Sequence, residues 1–144
     1  MLKTWIGLFA TLLLLAACAP MPTAPQSGVS PRIEGTPGKA VIYLVRTRPD
    51  VSYLTATLWL DDKMIGSTYA GTYLRLEVTP GRHRIEGYAE DNGAINLDVQ
   101  ADRIYFVQHT VSGSWRATNP QSFFRVIDEA RARAAMVGAV NAAG

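Results

Sequence analysis

The chain has one cysteine, two histidines and no marked excess of either charge in its 144 residues. Each scarcity excludes something. A lone cysteine, Cys18, allows no intrachain disulfide and no cysteine-based metal site. Setting residues 1–17 aside removes only Lys3 from the 14 Lys and Arg, against 12 Asp and Glu, so the remainder is nearly neutral. Such a chain lacks the clustered basic surface that displaces counterions, and no nucleic acid partner is expected. The pairs Arg46/Arg48, Arg82/Arg84 and Arg131/Arg133 are dispersed and read as solvated faces. The longest apolar run, Trp5 to Leu15, is short of the roughly 20 residues of a comfortable membrane span.

That run is nevertheless the strongest signal. Lys3 precedes it, and the small residues Ala16 and Ala17 follow it, as in a secretory signal peptide. Leu15-Ala16-Ala17-Cys18 resembles the lipobox of bacterial lipoproteins. The resemblance implies a diacylglycerol on the Cys18 thiol, cleavage just before it, and acylation of the new amine. Two or more acyl chains anchor stably, at about 0.8 kcal/mol per buried methylene. Ala19, where an aspartate would favour the inner membrane, resembles the outer-membrane pattern, which implies the periplasmic face of the outer membrane. Residues 18–38 hold Pro20, Pro22, Pro25, Pro31 and Pro37 with little to bury, and read as a tether.

Residues 39–138 read as a mainly β domain, an antiparallel β-sandwich of about seven strands with a short C-terminal helix. Ala40 to Thr47 is apolar on both faces, the mark of a central strand. Leu54 to Leu60 places Leu54, Ala56, Leu58 and Leu60 on one face. Thr72 to Val78 places Leu74, Leu76 and Val78 on one face and Tyr73, Arg75 and Glu77 on the other. Asp61-Asp62-Lys63, Ala70-Gly71, Thr79-Pro80-Gly81 and Glu90-Asp91-Asn92-Gly93 supply turns. Strands are expected over Met64 to Tyr69, Arg82 to Ala89, Ala94 to Val99, Arg103 to Ser112 and Ser122 to Ile127. Asp128 to Val137 reads as a helix, acidic at its start and followed by Gly138. The tail, 139–144, is expected to fray.

Two units carry a family resemblance. Leu58-Trp59-Leu60-Asp61-Asp62-Lys63-Met64-Ile65-Gly66 resembles the strand-turn-strand unit of PEGA-type β-domains, with Asp62 where their turn usually has glycine. Leu76 to Ile85, through Pro80-Gly81 and His83, resembles their Pro-Gly-x-His unit. From Ala40 to Glu129 the chain is similar to an uncharacterised domain family of bacterial lipoproteins, with Ala40-Val41-Ile42-Tyr43 and Arg46 opening the domain and Tyr105-Phe106-Val107 late in it. The resemblance implies a β-sandwich module of the cell envelope and no assigned activity.

Chemistry is hard to find in the pattern. His83 and His109 lack any metal-ligand spacing and read as packed imidazoles, so no metal and no cofactor are expected. No Gly-x-Ser-x-Gly elbow or Ser-x-x-Lys occurs, and Asp61, Asp62, Glu90 and Asp91 fall in turns, where acids are common. The aromatics Trp59, Tyr73 and Trp115 are the candidate binding surface. The expectation is a non-catalytic lipoprotein that binds or scaffolds an envelope protein or glycan, held to the membrane through its lipid. The alternatives are a hydrolase of envelope polymers and a structural lipoprotein without a specific ligand. A His–acid pair converging in a concave pocket would favour the hydrolase.

Overall fold

A computed structural model describes residues 30–47, 54–87, 93–113 and 120–143. Leu15, Ala16, Ala17, Cys18, Trp115 and the Glu90–Asn92 part of the expected turn lie outside them. The described chain forms β1 (Ala40–Arg46), β2 (Ala56–Leu60), β3 (Lys63–Thr68), β4 (Thr72–Val78), β5 (Gly81–Glu86), β6 (Ala94–Val99), β7 (Ile104–Ser112), β8 (Gln121–Ile127), α1 (Glu129–Met136) and β9 (Val140–Asn141). Sheet A runs β8-β7-β1-β4-β9 and sheet B runs β3-β2-β5-β6.

The sandwich and its helix are therefore present, and their packing follows from the strand patterns. β1 is buried along its whole length. Ala40, Ile42 and Leu44 point into the space between the sheets, against Leu58, Leu74, Ile85, Leu97 and Val107. Val41, Tyr43 and Val45 point the other way, against Phe106, Ile127, Ala132 and Met136. Full burial of one such aliphatic side chain contributes about 1.5–3 kcal/mol, so a strand covered on both faces is a major source of stability. Asp128 caps α1 by accepting the Arg131 backbone N–H at 2.8 Å, and the helix buries Ala132 and Met136.

Sheet A is mixed where a purely antiparallel sandwich was expected. β1 pairs antiparallel with β4 but parallel with β7, and β9 is parallel to β4. Strands covered on both sides suit parallel pairing, which is common where both faces are buried. The tail departs from expectation too. Val140 donates to the Gly71 carbonyl at 3.1 Å and Ala142 to the Tyr73 carbonyl at 2.8 Å, which adds β9 to the exposed edge of β4.

Residues 32–36, expected to belong to the tether, lie on sheet A instead. The Tyr43 hydroxyl accepts the Glu34 N–H at 2.9 Å and faces the carbonyls of Arg32 and Glu34. Arg75 donates to the Glu34 carbonyl at 3.3 Å and to Thr36 Oγ1 at 2.8 Å. Thr36 in turn donates to Glu77 at 2.7 Å. The bonds from Arg75 and then Thr36 hold the Glu77 carboxyl below its ordinary range. These contacts make a strap that enters the domain beside β4.

The β2–β3 hairpin settles the turn at Asp62. Leu60 pairs with Lys63, and Asp61 and Asp62 between them have φ of 49° and 64°. Both central residues are left-handed, the requirement of a type I′ turn. Asp61 is compensated, because its carboxylate accepts the Arg84 backbone N–H at 2.9 Å. Glycine takes this φ without a Cβ penalty. Asp62→Gly is therefore expected to raise stability by about 0.5–1 kcal/mol, read as a higher denaturant midpoint at unchanged slope. A lower midpoint would contradict this account of the turn.

Candidate functional site

Apart from the strap, two places among the described residues bring a histidine together with other polar groups. The first is buried. Arg46, Thr68, His109 and Ser122 have no solvent exposure, and all lie at the end of the sandwich where β1 and β3 finish. Arg46 donates to the Thr68 carbonyl at 2.8 Å. Thr68 Oγ1 lies 3.2 Å from His109 Nδ1, and Ser122 Oγ lies 2.9 Å from His109 Nε2. Each hydroxyl can donate or accept, so an imidazole with one N–H satisfies both. The ring also stacks on Phe124, with centroids 4.8 Å apart and planes 10° from parallel. Gly87 presses against this group: a Cβ there would lie 2.6 Å from the Ser122 Cβ and 3.3 Å from Phe124 Cζ.

A serine hydroxyl within reach of an imidazole is the first contact of a nucleophilic site. Here it is sealed. Both ring nitrogens are engaged, Nδ1 by the Thr68 hydroxyl and Nε2 by Ser122, and neither side chain reaches solvent. The sequence reading of His109 as a packed imidazole matches this geometry.

The second place is the turn end of sheet B. His83 Nδ1 lies 2.6 Å from Asp61 Oδ2, and its Nε2 lies 2.7 Å from the Thr79 carbonyl. Both partners only accept, so both bonds require both nitrogens to carry hydrogen, which is the imidazolium form. Burial opposes that charge, but the Asp61 bond, the Thr79 bond and the Asp61 charge outweigh it, and the His83 pKa is raised from 6.5. The Asp61 carboxyl is lowered from 3.8, by the Arg84 backbone bond first and the His83 bond second. This is a His–acid pair, but it straps a turn and lines no concave pocket among the described residues.

The signs of the two shifts define a pH window. A raised histidine stabilises fully below about 6.5 and loses that contribution as pH climbs through its folded value. A lowered aspartate stabilises above about 3.8 and loses it as pH falls through its folded value. The pair therefore contributes most between these limits. Asp61 is nearly half exposed, so solvent screening keeps the contribution within about 1 kcal/mol. Unfolding between pH 6 and 9 should show wild type losing stability that His83→Gln does not lose. Parallel curves for the two proteins would remove this pair as the cause.

The candidate aromatics do not form one groove. Trp59 is half-buried on the outer face of sheet B, paired with Met64 and Glu86, and Met64 is 70% exposed. Arg84 and Glu86 form an ion pair at 2.8 Å on the same face. Tyr73 belongs to the other side of the molecule, 6.3 Å from Tyr43 between sheet A and α1. Burial, with Tyr43 beside it, pushes its phenol pKa up. Alternation explains the separation: each residue points away from the intersheet core, but from opposite sheets. Trp115 lies outside the described residues.

Two shallow depressions mark the helix side of sheet A. One, of about 310 Å³, is lined by Gln108, Thr110, Phe123, Phe124 and Arg125. The other, of about 270 Å³, lies between Thr47, Gly71 and the C-terminal end of α1. Neither gathers a histidine or an acid, and no group of three metal-ligating side chains occurs among the described residues.

Residues 36–120, which span the sandwich from the strap into β7 and beyond, match a family described as "Protein of unknown function (DUF2846)". An "Uncharacterized protein" of Haemophilus influenzae is 28% identical over 106 residues, which is 70% of this chain and 63% of that relative. The chain thus aligns with less than two thirds of that relative's length. No solved structure matches.

Proposed function

The chain belongs to the DUF2846 family of proteins of unknown function, and from that premise, which carries no activity with it, we propose a lipid-anchored lipoprotein of the bacterial envelope whose β-domain binds or scaffolds another envelope component, protein or glycan, without catalysis. The observation that carries the non-catalytic half is where the imidazoles lie: His109 and its Ser122 partner have no solvent exposure, and His83 straps a turn. A hydrolase that used either as its general base would need it to reach substrate or water.

The anchor half rests on Leu15-Ala16-Ala17-Cys18 and the proline-rich stretch after it. The likeness to PEGA-type modules supports a structural part for the Asp61-Asp62 and Pro80-Gly81 turns. The surface offered to a partner is the outer face of sheet B, where Trp59 and exposed Met64 are flanked by Arg84 and Glu86. It lies across the sandwich from the strap, and so away from the side on which the tether enters.

Two measurements test the halves separately. Growth with an alkyne-bearing palmitate should label the wild type, and Cys18→Ala should abolish both labelling and membrane retention. Labelling that survives the substitution rejects the anchor. A photo-crosslinking residue at Met64 in native membranes should capture one specific envelope component. Capture of nothing specific, with the anchor intact, rejects the binding module.

A further inference from the structure

Every open sheet leaves edge strands, and an edge strand offers unpaired N–H and C=O groups to any second strand. The described sandwich has four edges, and three are blunted. β9 is two residues long. β6 exposes Asn96 and Asp98. β3 carries exposed Lys63, a register shift opposite Leu58/Trp59, and Gly66 at φ 134°. These are the usual devices against edge-to-edge association.

β8 is neither short nor shifted in register, and of these devices it has only one exposed charge. It pairs with β7 over seven consecutive residues without a register shift. It has no proline, glycine or acid, and it is rich in the aromatic and β-branched residues that favour strands. Phe123 is 40% exposed on one face and Val126 is 55% exposed on the other. Its single charge, Arg125, is held down by a 2.7 Å bond to Gln108.

We propose that β8 is the seam at which two copies of this chain pair, antiparallel and edge to edge, about a two-fold axis at Phe124. The strand's own sequence selects the second copy and the register. Phe124 is the midpoint of Gln121–Ile127, so this axis pairs all seven residues. It sets Phe123 opposite Arg125 of the second copy, twice, as an aromatic–guanidinium contact. Ser122 meets Val126, and Gln121 meets Ile127. An axis one residue later would oppose the two Arg125 side chains. Two five-stranded sheets then become one continuous ten-stranded sheet. The seam does not depend on the lipid anchor, and it lies on a different sheet from the face proposed for a partner.

The test is sedimentation equilibrium of the full chain in detergent micelles, repeated with the Cys18→Ala chain so that failure of the anchor is separable from failure of the seam. Both should dimerise. Phe123→Lys places cations opposite Arg125 at two points and should weaken the dimer at least tenfold. Phe123→Glu places opposite charges there and should keep or tighten it. Phe123 is at the surface, and the thermal unfolding of both variants at monomeric concentration checks that the fold is retained. A chain that stays monomeric at all concentrations overturns the proposal. So does equal weakening by Lys and Glu, or capture of a different protein's strand by a crosslinker at position 123.

Discussion

Replacing His109 with alanine is expected to cost at least about 5 kcal/mol of folding stability. The ring fills fully buried space against Phe124, and large-to-small changes at such sites cost about 3–5 kcal/mol. Its loss also strands the hydroxyls of Thr68 and Ser122, at about 1–3 kcal/mol for each group left unsatisfied. For a domain of this size the melting temperature should fall by more than about 15 °C. His109→Phe separates the two causes. It keeps an aromatic ring on Phe124 and loses only the polar bonds, so it should recover roughly half of the loss. Denaturant unfolding at constant slope checks both values. If His109→Phe is as costly as His109→Ala, the packing share of the argument fails.

Gly87→Ala should also be damaging, at about 3 kcal/mol, by the opposite route. The added Cβ would lie 2.6 Å from the Ser122 Cβ, a distance that requires backbone movement rather than a rotamer change. Overpacking of this kind costs about 1–3 kcal/mol, and more where the neighbour cannot yield. Ser122 cannot yield freely, because its hydroxyl is committed to His109. Ser122→Gly removes the obstacle and costs stability itself by leaving His109 Nε2 short of a partner. The double variant should therefore be more stable than the sum of the two single losses implies, a coupling that contacting residues show and distant ones do not. Strict additivity would mean that Gly87 is required for some reason other than this contact.

Much of the fold was legible because burial leaves a local imprint. β1 is apolar at successive positions, and among the described strands it is the one covered on both faces throughout. Leu74 and Val78 alternate with Tyr73 and Arg75, and the alternation separates the two cores. Asp128 announced the helix by the chemistry of its cap. What stayed hidden depends on partners far away in the chain. Nothing in Ala40–Arg46 says that its neighbour 63 residues further on runs parallel rather than antiparallel. Val140 and Asn141 form a strand only because β4 has an open edge to receive them. The buried group around His109 draws on β1, β3, β7 and β8, so no local spacing could gather it. Trp59 and Tyr73 each pointed outwards as the alternation implies, but alternation alone does not say which sheet a strand joins.

The strap at residues 32–36 has a mechanical consequence. A pull on the chain from its N-terminal side does not peel β1 from the sheet one bond at a time. The load first meets the Tyr43 hydroxyl and the Arg75 guanidinium, which grip the strap from the middle of sheet A. Tyr43 is itself wedged between Tyr73 and Phe106, so the force spreads into the interior of the fold. Arg75 belongs to β4, so part of the load passes to that strand directly. The domain is thus harnessed at its centre rather than hung from its first strand.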